Sequence, residues 1–146
     1  MITRGVAGLA LLLTLVACSG PDETPASTPS NTPTSAQMPA AKDGQNYKAC
    51  DDGVCEVLIR TKAALNLKGD KFTATVVGGT LKLTDSKGYI SLSRNGSGAS
   101  RTGGGSTGGA AGGIAGVSWS DQGGPLHIAT LAYAEGDTVI VNFTTK

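Results

Sequence analysis

The chain has 146 residues, with 12 Lys and Arg against 11 Asp and Glu, and therefore a net charge of +1. Only 4% of its residues are aromatic. A nearly neutral chain with no basic cluster lacks the electrostatic footprint of a nucleic-acid-binding protein, so that class is excluded as a partner. The sequence likewise contains no polybasic segment of the kind that contacts a membrane.

Residues 1–17 have the pattern of a secretory signal peptide. Arg4 precedes an apolar run at 6–17, which is shorter than the roughly 20 residues that a membrane-spanning helix needs. The run "LVAC" at 15–18 resembles the lipobox of bacterial lipoproteins. That resemblance implies cleavage before Cys18, a diacylglyceryl group on the Cys18 sulfur, a further acyl chain such as palmitate, and anchoring on the extracytoplasmic face of the cell membrane. The alternative is an ordinary signal peptide in which Cys18 is incidental.

Residues 18–46 are predicted to form a lipidated, disordered tether. Five of the six prolines of the chain fall between Pro21 and Pro39, among many Ser and Thr residues. Such a segment has too few apolar side chains to fold alone. As a coil of about 28 residues it would reach about 30 Å. Composition leaves open whether its Ser and Thr residues carry sugars.

The stretch "ACDDGVCEV" at 49–57 contains two cysteines that are predicted to form a disulfide, Cys50 with Cys55. With the third cysteine assigned to lipid, an even pair remains in an exported, oxidising compartment. A two-residue turn at 52–53 predicts a β-hairpin in which the cysteines face each other. A zinc site is disfavoured because His127 is the only histidine and there is no second cysteine pair. No metal or cofactor is predicted.

Residues 47–146 are predicted to form one all-β domain, a small antiparallel sandwich or half-open barrel of roughly seven or eight short strands. Apolar residues recur there with period two, and Gly-containing turns separate the runs. The expected strands are 55–60, 71–77, 80–84, 89–94, 114–119, 126–134 and 138–144. Residues 63–67 fit either a strand or a helical turn. The predicted core is Val57, Ile59, Phe72, Ala74, Val76, Leu81, Leu83, Ile90, Leu92, Ile128, Val139, Val141 and Phe143.

The glycine-rich segment at about 95–113 is predicted to be a long mobile loop. Its spacing at Gly103, Gly105 and Gly108 formally matches the dinucleotide fingerprint G-x-G-x-x-G. The match follows from composition alone, and no amphipathic helix comes after it to bind a phosphate. A functional flap is the alternative, because long loops are uncommon in small domains without a role.

Trp119 and His127 are the two residues identified from the sequence as possible ligand contacts. Trp119 lies at the end of a predicted strand, where a core position is the commoner arrangement. His127 lies between Leu126 and Ile128 in another strand and is predicted to face opposite to both. The sequence offers neither residue a catalytic partner, so no catalytic residue is assigned.

The run "YKACDDGVCEVLIR" resembles the start of small exported β domains of actinobacteria, which follow a lipobox and a Thr/Pro-rich linker. The resemblance implies a lipoprotein with a β domain at its C-terminus and no assigned activity. We therefore expect a membrane-anchored module that binds an envelope component or serves a structural role without catalysis. The alternative is a small-ligand carrier or hydrolase whose site lies near Trp119, His127 and the glycine-rich segment.

Overall fold

The computed structural model describes residues 37–111 and 114–146. Within them the chain forms one short 3₁₀ helix, Tyr47–Asp52, and ten β-strands. The strands are β1 (Val54–Arg60), β2 (Lys62–Leu67), β3 (Asp70–Val77), β4 (Thr80–Asp85), β5 (Gly88–Ser93), β6 (Gly96–Arg101), β7 (Gly104–Ala111), β8 (Ile114–Asp121), β9 (Leu126–Glu135) and β10 (Thr138–Thr145).

The strands form two five-stranded antiparallel sheets. Sheet A has the order β1-β10-β9-β8-β7, and sheet B has the order β2-β3-β4-β5-β6. The chain crosses between the sheets after β1 and after β6, and every other connection joins neighbouring strands. Because the strands alternate in direction, β2, β4, β6, β8 and β10 all finish at one end of the molecule. The all-β prediction is confirmed as a sandwich, with more strands than expected.

Alternation of apolar and polar residues builds the core between the sheets. Twelve of the thirteen predicted core residues are buried there. The exception is Ile128, which is only half-buried, because β9 turns His127, Ala129 and Leu131 inward instead. Both faces of β9 carry apolar residues, so composition could not decide between them. The register between β8 and β9 pairs Trp119 with His127, and this pairing places His127 on the inward face of β9.

Two local predictions are wrong. The cysteine segment is not a hairpin: Cys50 lies in the 3₁₀ helix, which ends at Gly53 in a left-handed conformation before β1 begins. The predicted glycine-rich loop contains strands β6 and β7. The ambiguous residues 63–67 belong to strand β2.

Close backbone approach explains part of the glycine content. A Cβ at Gly108 of β7 would overlap the side chain of Ser97. Ser97 belongs to β6, the edge strand of sheet B. Ser97 Oγ donates a hydrogen bond of 2.8 Å to the Gly116 carbonyl in β8. This contact links the edge strand of sheet B to sheet A.

The chain before the 3₁₀ helix is hydrogen-bonded to strand β1, although 18–46 was assigned to the tether. Asp43 N donates to Glu56 O at 3.0 Å, and Leu58 N donates to Gly44 O at 2.7 Å. Asp43 Oδ2 also accepts from Glu56 N at 2.9 Å. Residues 43 and 44 thus cover the β1 edge that β10 does not pair with, and the folded domain begins before the expected residue 47.

Candidate functional site

Trp119 and His127, the two predicted ligand contacts, meet inside the sandwich. Their rings stack with centroids 5.1 Å apart and an interplanar angle of 26°. Phe72 of sheet B packs edge-on against both rings, with centroids 5.8 Å from Trp119 and 5.9 Å from His127. Trp119 is 1% exposed and His127 is 2% exposed. The two residues are therefore part of the packed interior of the sandwich.

Both ring nitrogens of His127 have partners. Nε2 lies 2.9 Å from Asp70 Oδ2, and Nδ1 lies 3.0 Å from Thr145 Oγ1. With the carboxylate oxygen of Asp70 as acceptor, the Nε2–H of His127 is the donor of this hydrogen bond. With both nitrogens occupied, the imidazole orients β9 against β3 and β10. The sequence had suggested no partner for it, since Asp70 is 57 positions away.

A second charged group lies at the same end of the sandwich and centres on Arg101. Its Nη2 is 2.7 Å from Asp85 Oδ2 and 3.1 Å from Asp121 Oδ1, and its side chain is 3% exposed. Lys87 Nζ reaches Asp121 Oδ2 at 2.7 Å. These ion pairs join strands β4, β6 and β8 with the β4–β5 turn. We call the set Asp70, Asp85, Lys87, Arg101, Asp121, His127 and Thr145 the polar end.

The charges at the polar end shift one another's pKa values. Partial burial acts to raise the pKa of Asp121, but the hydrogen bonds from Lys87 and Arg101 outweigh burial and hold that pKa below its ordinary value. Burial likewise acts to lower the pKa of Arg101, but its bonds to Asp85 and Asp121 raise it. Asp121 and Arg101 therefore remain ionised near neutral pH.

Three buried donors at this end have no hydrogen-bond partner within the part of the chain that the structure describes. They are Nε and Nη1 of Arg101 and Nε1 of Trp119. The Arg101 guanidinium lies 5.7 Å from the Phe72 ring centroid, so the aromatic face partly compensates its charge.

The clefts of the molecule lie away from the His127 ring. The 3₁₀ helix and the outer face of sheet B border a cleft of about 440 Å³. Its lining includes Tyr47, Lys48, Asn66, Lys71, Thr73 and Thr84. A groove of about 270 Å³ between β7 and β8 includes Trp119 but not His127 in its lining. Trp119 thus borders a groove, whereas His127 is absent from the lining of both concave surfaces.

The outer face of sheet B carries three exposed lysines that were not recognised from the sequence as one group. Lys62, Lys71 and Lys82 are exposed at outward positions of β2, β3 and β4. The two carboxylates in the strands of this sheet, Asp70 and Asp85, share the inward parity and bind His127 and Arg101. Successive side chains of a strand point to opposite faces, so a correct assignment of the strands could have revealed that the lysines and the carboxylates lie on opposite faces of sheet B.

The other predicted site residues have separate positions. Cys50 and Cys55 form the expected disulfide, with Cα atoms 5.0 Å apart, and both are buried. Cys18 lies outside the described residues. Gly105 and Gly108 of the dinucleotide match lie in strand β7, and Gly103 lies in the turn before it. That antiparallel strand leads to β8 and presents no helix N-terminus to a phosphate.

Among residues 37–111 and 114–146, no group of three or more His, Cys, Asp or Glu side chains is placed to hold a metal ion. Across the same residues, no helix has the length and apolar character to span a membrane. Comparison with models of protein families, with curated proteins and with solved structures finds no match for this chain.

Proposed function

We propose that this protein is a lipoprotein anchored through Cys18 to the extracytoplasmic face of the cell membrane, and that its β domain is a non-catalytic binding module. The observation that carries the binding role is the separation of charge across sheet B. Its strand carboxylates turn inward to Arg101 and His127, whereas Lys62, Lys71 and Lys82 face outward beside an open cleft. An accessible charged face is suited to recognition rather than to bond breaking.

The non-catalytic part of the proposal is supported by how the ionisable groups at the polar end are used. His127 is bonded through both nitrogens, and Arg101 holds two carboxylates. A general base needs access to a substrate proton within hydrogen-bond distance. The buried imidazole of His127 would have to give up Asp70 or Thr145 to meet that requirement.

The anchor is tested by the mass and partitioning of the exported protein. We expect a mature chain that begins at Cys18 and carries acyl groups, that partitions into detergent, and that becomes water-soluble after Cys18→Ala substitution. Two acyl chains anchor stably, whereas a single chain binds only marginally. A wild-type product that starts at another residue and stays in the aqueous phase would overturn the anchor.

A carrier or hydrolase with a site near Trp119 and His127 is the second candidate. One observation favours it: the buried donors of Arg101 and Trp119, which find no partner among residues 37–111 and 114–146, are chemically suited to a ligand carboxylate. It requires the polar end to open, since Trp119 and His127 are almost fully buried.

The two candidates are separated by assaying ester, peptide and glycoside turnover with the wild-type protein and with His127→Gln. The module predicts no turnover by either protein. Turnover by the wild type that is lost in a folded His127→Gln variant would establish the hydrolase. Saturable binding of a fatty acid that protects the Trp119 fluorescence from quenching would establish the carrier.

A further inference from the structure

We propose that the outer face of sheet B is a docking surface for anionic phospholipid headgroups, so that the domain lies against the membrane instead of standing away from it. The face is defined by Lys62, Lys71, Lys82, Tyr89 and Val77, with Lys48 beside it. The inference rests on the proposed function in one respect, namely that the lipid anchor brings this face close to the membrane. The binding chemistry itself comes from the residues of the face.

The lysines lie in one compact patch. Lys62 and Lys82 both pair with Thr75 of β3, one from each side, which places them about 10 Å apart at two strand spacings. Lys71 lies on the same face of β3, four residues or about 13 Å from Thr75. Lys48 lines the same cleft as Lys71. Because the lysines share one face, an anionic surface that docks on this face comes within the screening length of about 8 Å of each of them.

Nothing in the strands of sheet B opposes these charges on the outer face. The strand carboxylates, Asp70 and Asp85, face inward and bind His127 and Arg101. Two carboxylates line the cleft beside Lys48 and Lys71: Asp51 of the 3₁₀ helix, and Asp85, which is paired with Arg101. The corresponding face of sheet A carries Glu56, Glu135 and one cation, Arg60, in its strands, so it lacks the excess of positive charge that sheet B has. The electrostatic asymmetry therefore lies between the two outer faces.

The remaining side chains of the face favour a lipid surface over a soluble polyanion. Val77 is 74% exposed and lies at an outward position of β3. Tyr89 is 39% exposed on β5, and Lys82 Nζ lies 4.3 Å from the centre of its ring. Tyrosine is enriched at the headgroup level because its ring is apolar and its hydroxyl is polar. A soluble polyanion would gain little from an exposed valine, whereas a membrane interface accommodates it.

The tether length permits this contact. From Cys18 to Ala41, where the segment next to β1 begins, the chain spans 23 residues (41 − 18). A coil of that length reaches about 26 Å, more than the spacing of about 10 Å between two packed sheets. Either outer face of the anchored domain can thus reach the bilayer. The lysines of sheet B make its outer face the one that an anionic bilayer attracts.

The test uses the mature chain from residue 18 with Cys18→Ser, so that lipid contributes nothing to binding. It is sedimented with vesicles of phosphatidylglycerol and phosphatidylcholine in equal parts, and with pure phosphatidylcholine vesicles, at low and at physiological salt. We expect binding to the anionic vesicles only, and weaker binding as salt increases. Each lysine near such a surface strengthens binding about five-fold, so Lys62→Gln, Lys71→Gln and Lys82→Gln together should weaken it on the order of a hundredfold.

A matched variant controls for net charge. Lys42→Gln, Lys68→Gln and Lys146→Gln remove the same three charges from residues that lie off this face, and should weaken binding far less. Equal losses in the two triple variants, or no binding of the wild-type sequence to anionic vesicles at low salt, would overturn the proposal. Binding of soluble polyphosphate without vesicle binding would assign the face to a polyanion and would also overturn it. The anchor would be unaffected by these outcomes, because this chain carries no lipid.

Discussion

In the middle of the sandwich, side chains such as Leu83, Ile90 and Val141 fill the space between the sheets with apolar volume alone. At the polar end the same space holds Arg101, bonded to two carboxylates. The middle depends on volume and tolerates many apolar sequences. The polar end depends on partners, because a buried charge without its counter-ion is costly.

The largest effect should follow from removing volume in the middle. Leu83→Ala deletes a fully buried side chain of β4 and should lower the free energy of unfolding by about 3–4 kcal/mol, because lost burial and the remaining cavity both contribute. Lys82→Ala, one residue earlier on the outer face, should change it by about 0.5 kcal/mol or less. Urea unfolding of the two variants measures the difference. Equal losses would mean that the middle is not a packed core.

Removing the central cation tests the polar end. Arg101→Met leaves Asp85 and Asp121 without their shared partner and should lower the free energy of unfolding by about 3 kcal/mol. Adding Asp85→Asn and Asp121→Asn should restore part of the loss, because no largely buried carboxylate then lacks its cation, and Lys87, which loses Asp121, is about half exposed to water. A further loss on adding these two substitutions would show that shape, and not charge pairing, holds this end together.

Acid should weaken the same end. The pKa of Asp121 is held below its ordinary value in the folded protein, so its ion pairs stabilise the fold above the unfolded pKa of about 3.9 and are lost as the pH falls through the lower, folded value. Unfolding followed from pH 6 to pH 2 should show this loss. Asp121→Asn should remove it, and Arg101→Met should reduce it. An unchanged acid dependence in Asp121→Asn would assign the loss to other carboxylates.

The contrast also explains how much could be inferred from the sequence. Strands such as β3, β4 and β5 alternate clearly, so their inward residues were predicted correctly. Arg101 could not be placed, because it belongs to a glycine-rich segment whose composition resembles a loop and has no apolar period. Close approach to other atoms accounts for Gly104 and Gly108 in this segment, which is a tertiary cause that local sequence does not show.

The candidate site was less predictable than the fold for a related reason. Ion pairs and hydrogen bonds at the polar end join residues that are distant in sequence, such as Asp70 with His127 and Lys87 with Asp121. Local patterns carry no information on which strand ends meet. Likewise, three lysines on three different strands form one face only after the register is fixed.

The disulfide lies next to the polar end and should have an intermediate effect. Gly53, which follows the 3₁₀ helix, accepts a hydrogen bond of 2.7 Å from Thr145 N, next to the Thr145–His127 contact. Replacing both Cys50 and Cys55 by alanine should lower the free energy of unfolding by about 2 kcal/mol, the expectation for so short a loop. Amide exchange at Thr145 should accelerate more than exchange in β4. Uniform acceleration would show that the disulfide stabilises the whole sandwich and not this corner.

The smallest effect concerns the edge where β6 meets β7, and it separates a strand from the loop that the sequence predicted. Gly108→Ala places a methyl group against Ser97, which must move away from its bond to the Gly116 carbonyl, and we expect a loss of about 1 kcal/mol. Gly109→Ala, one residue later, meets no atom within 4 Å and should be neutral or slightly stabilising, because alanine restricts the unfolded chain. Thermal unfolding of the two variants measures this difference between adjacent glycines. A mobile loop would tolerate both substitutions equally, so identical stabilities would contradict the packing of β7 on β6.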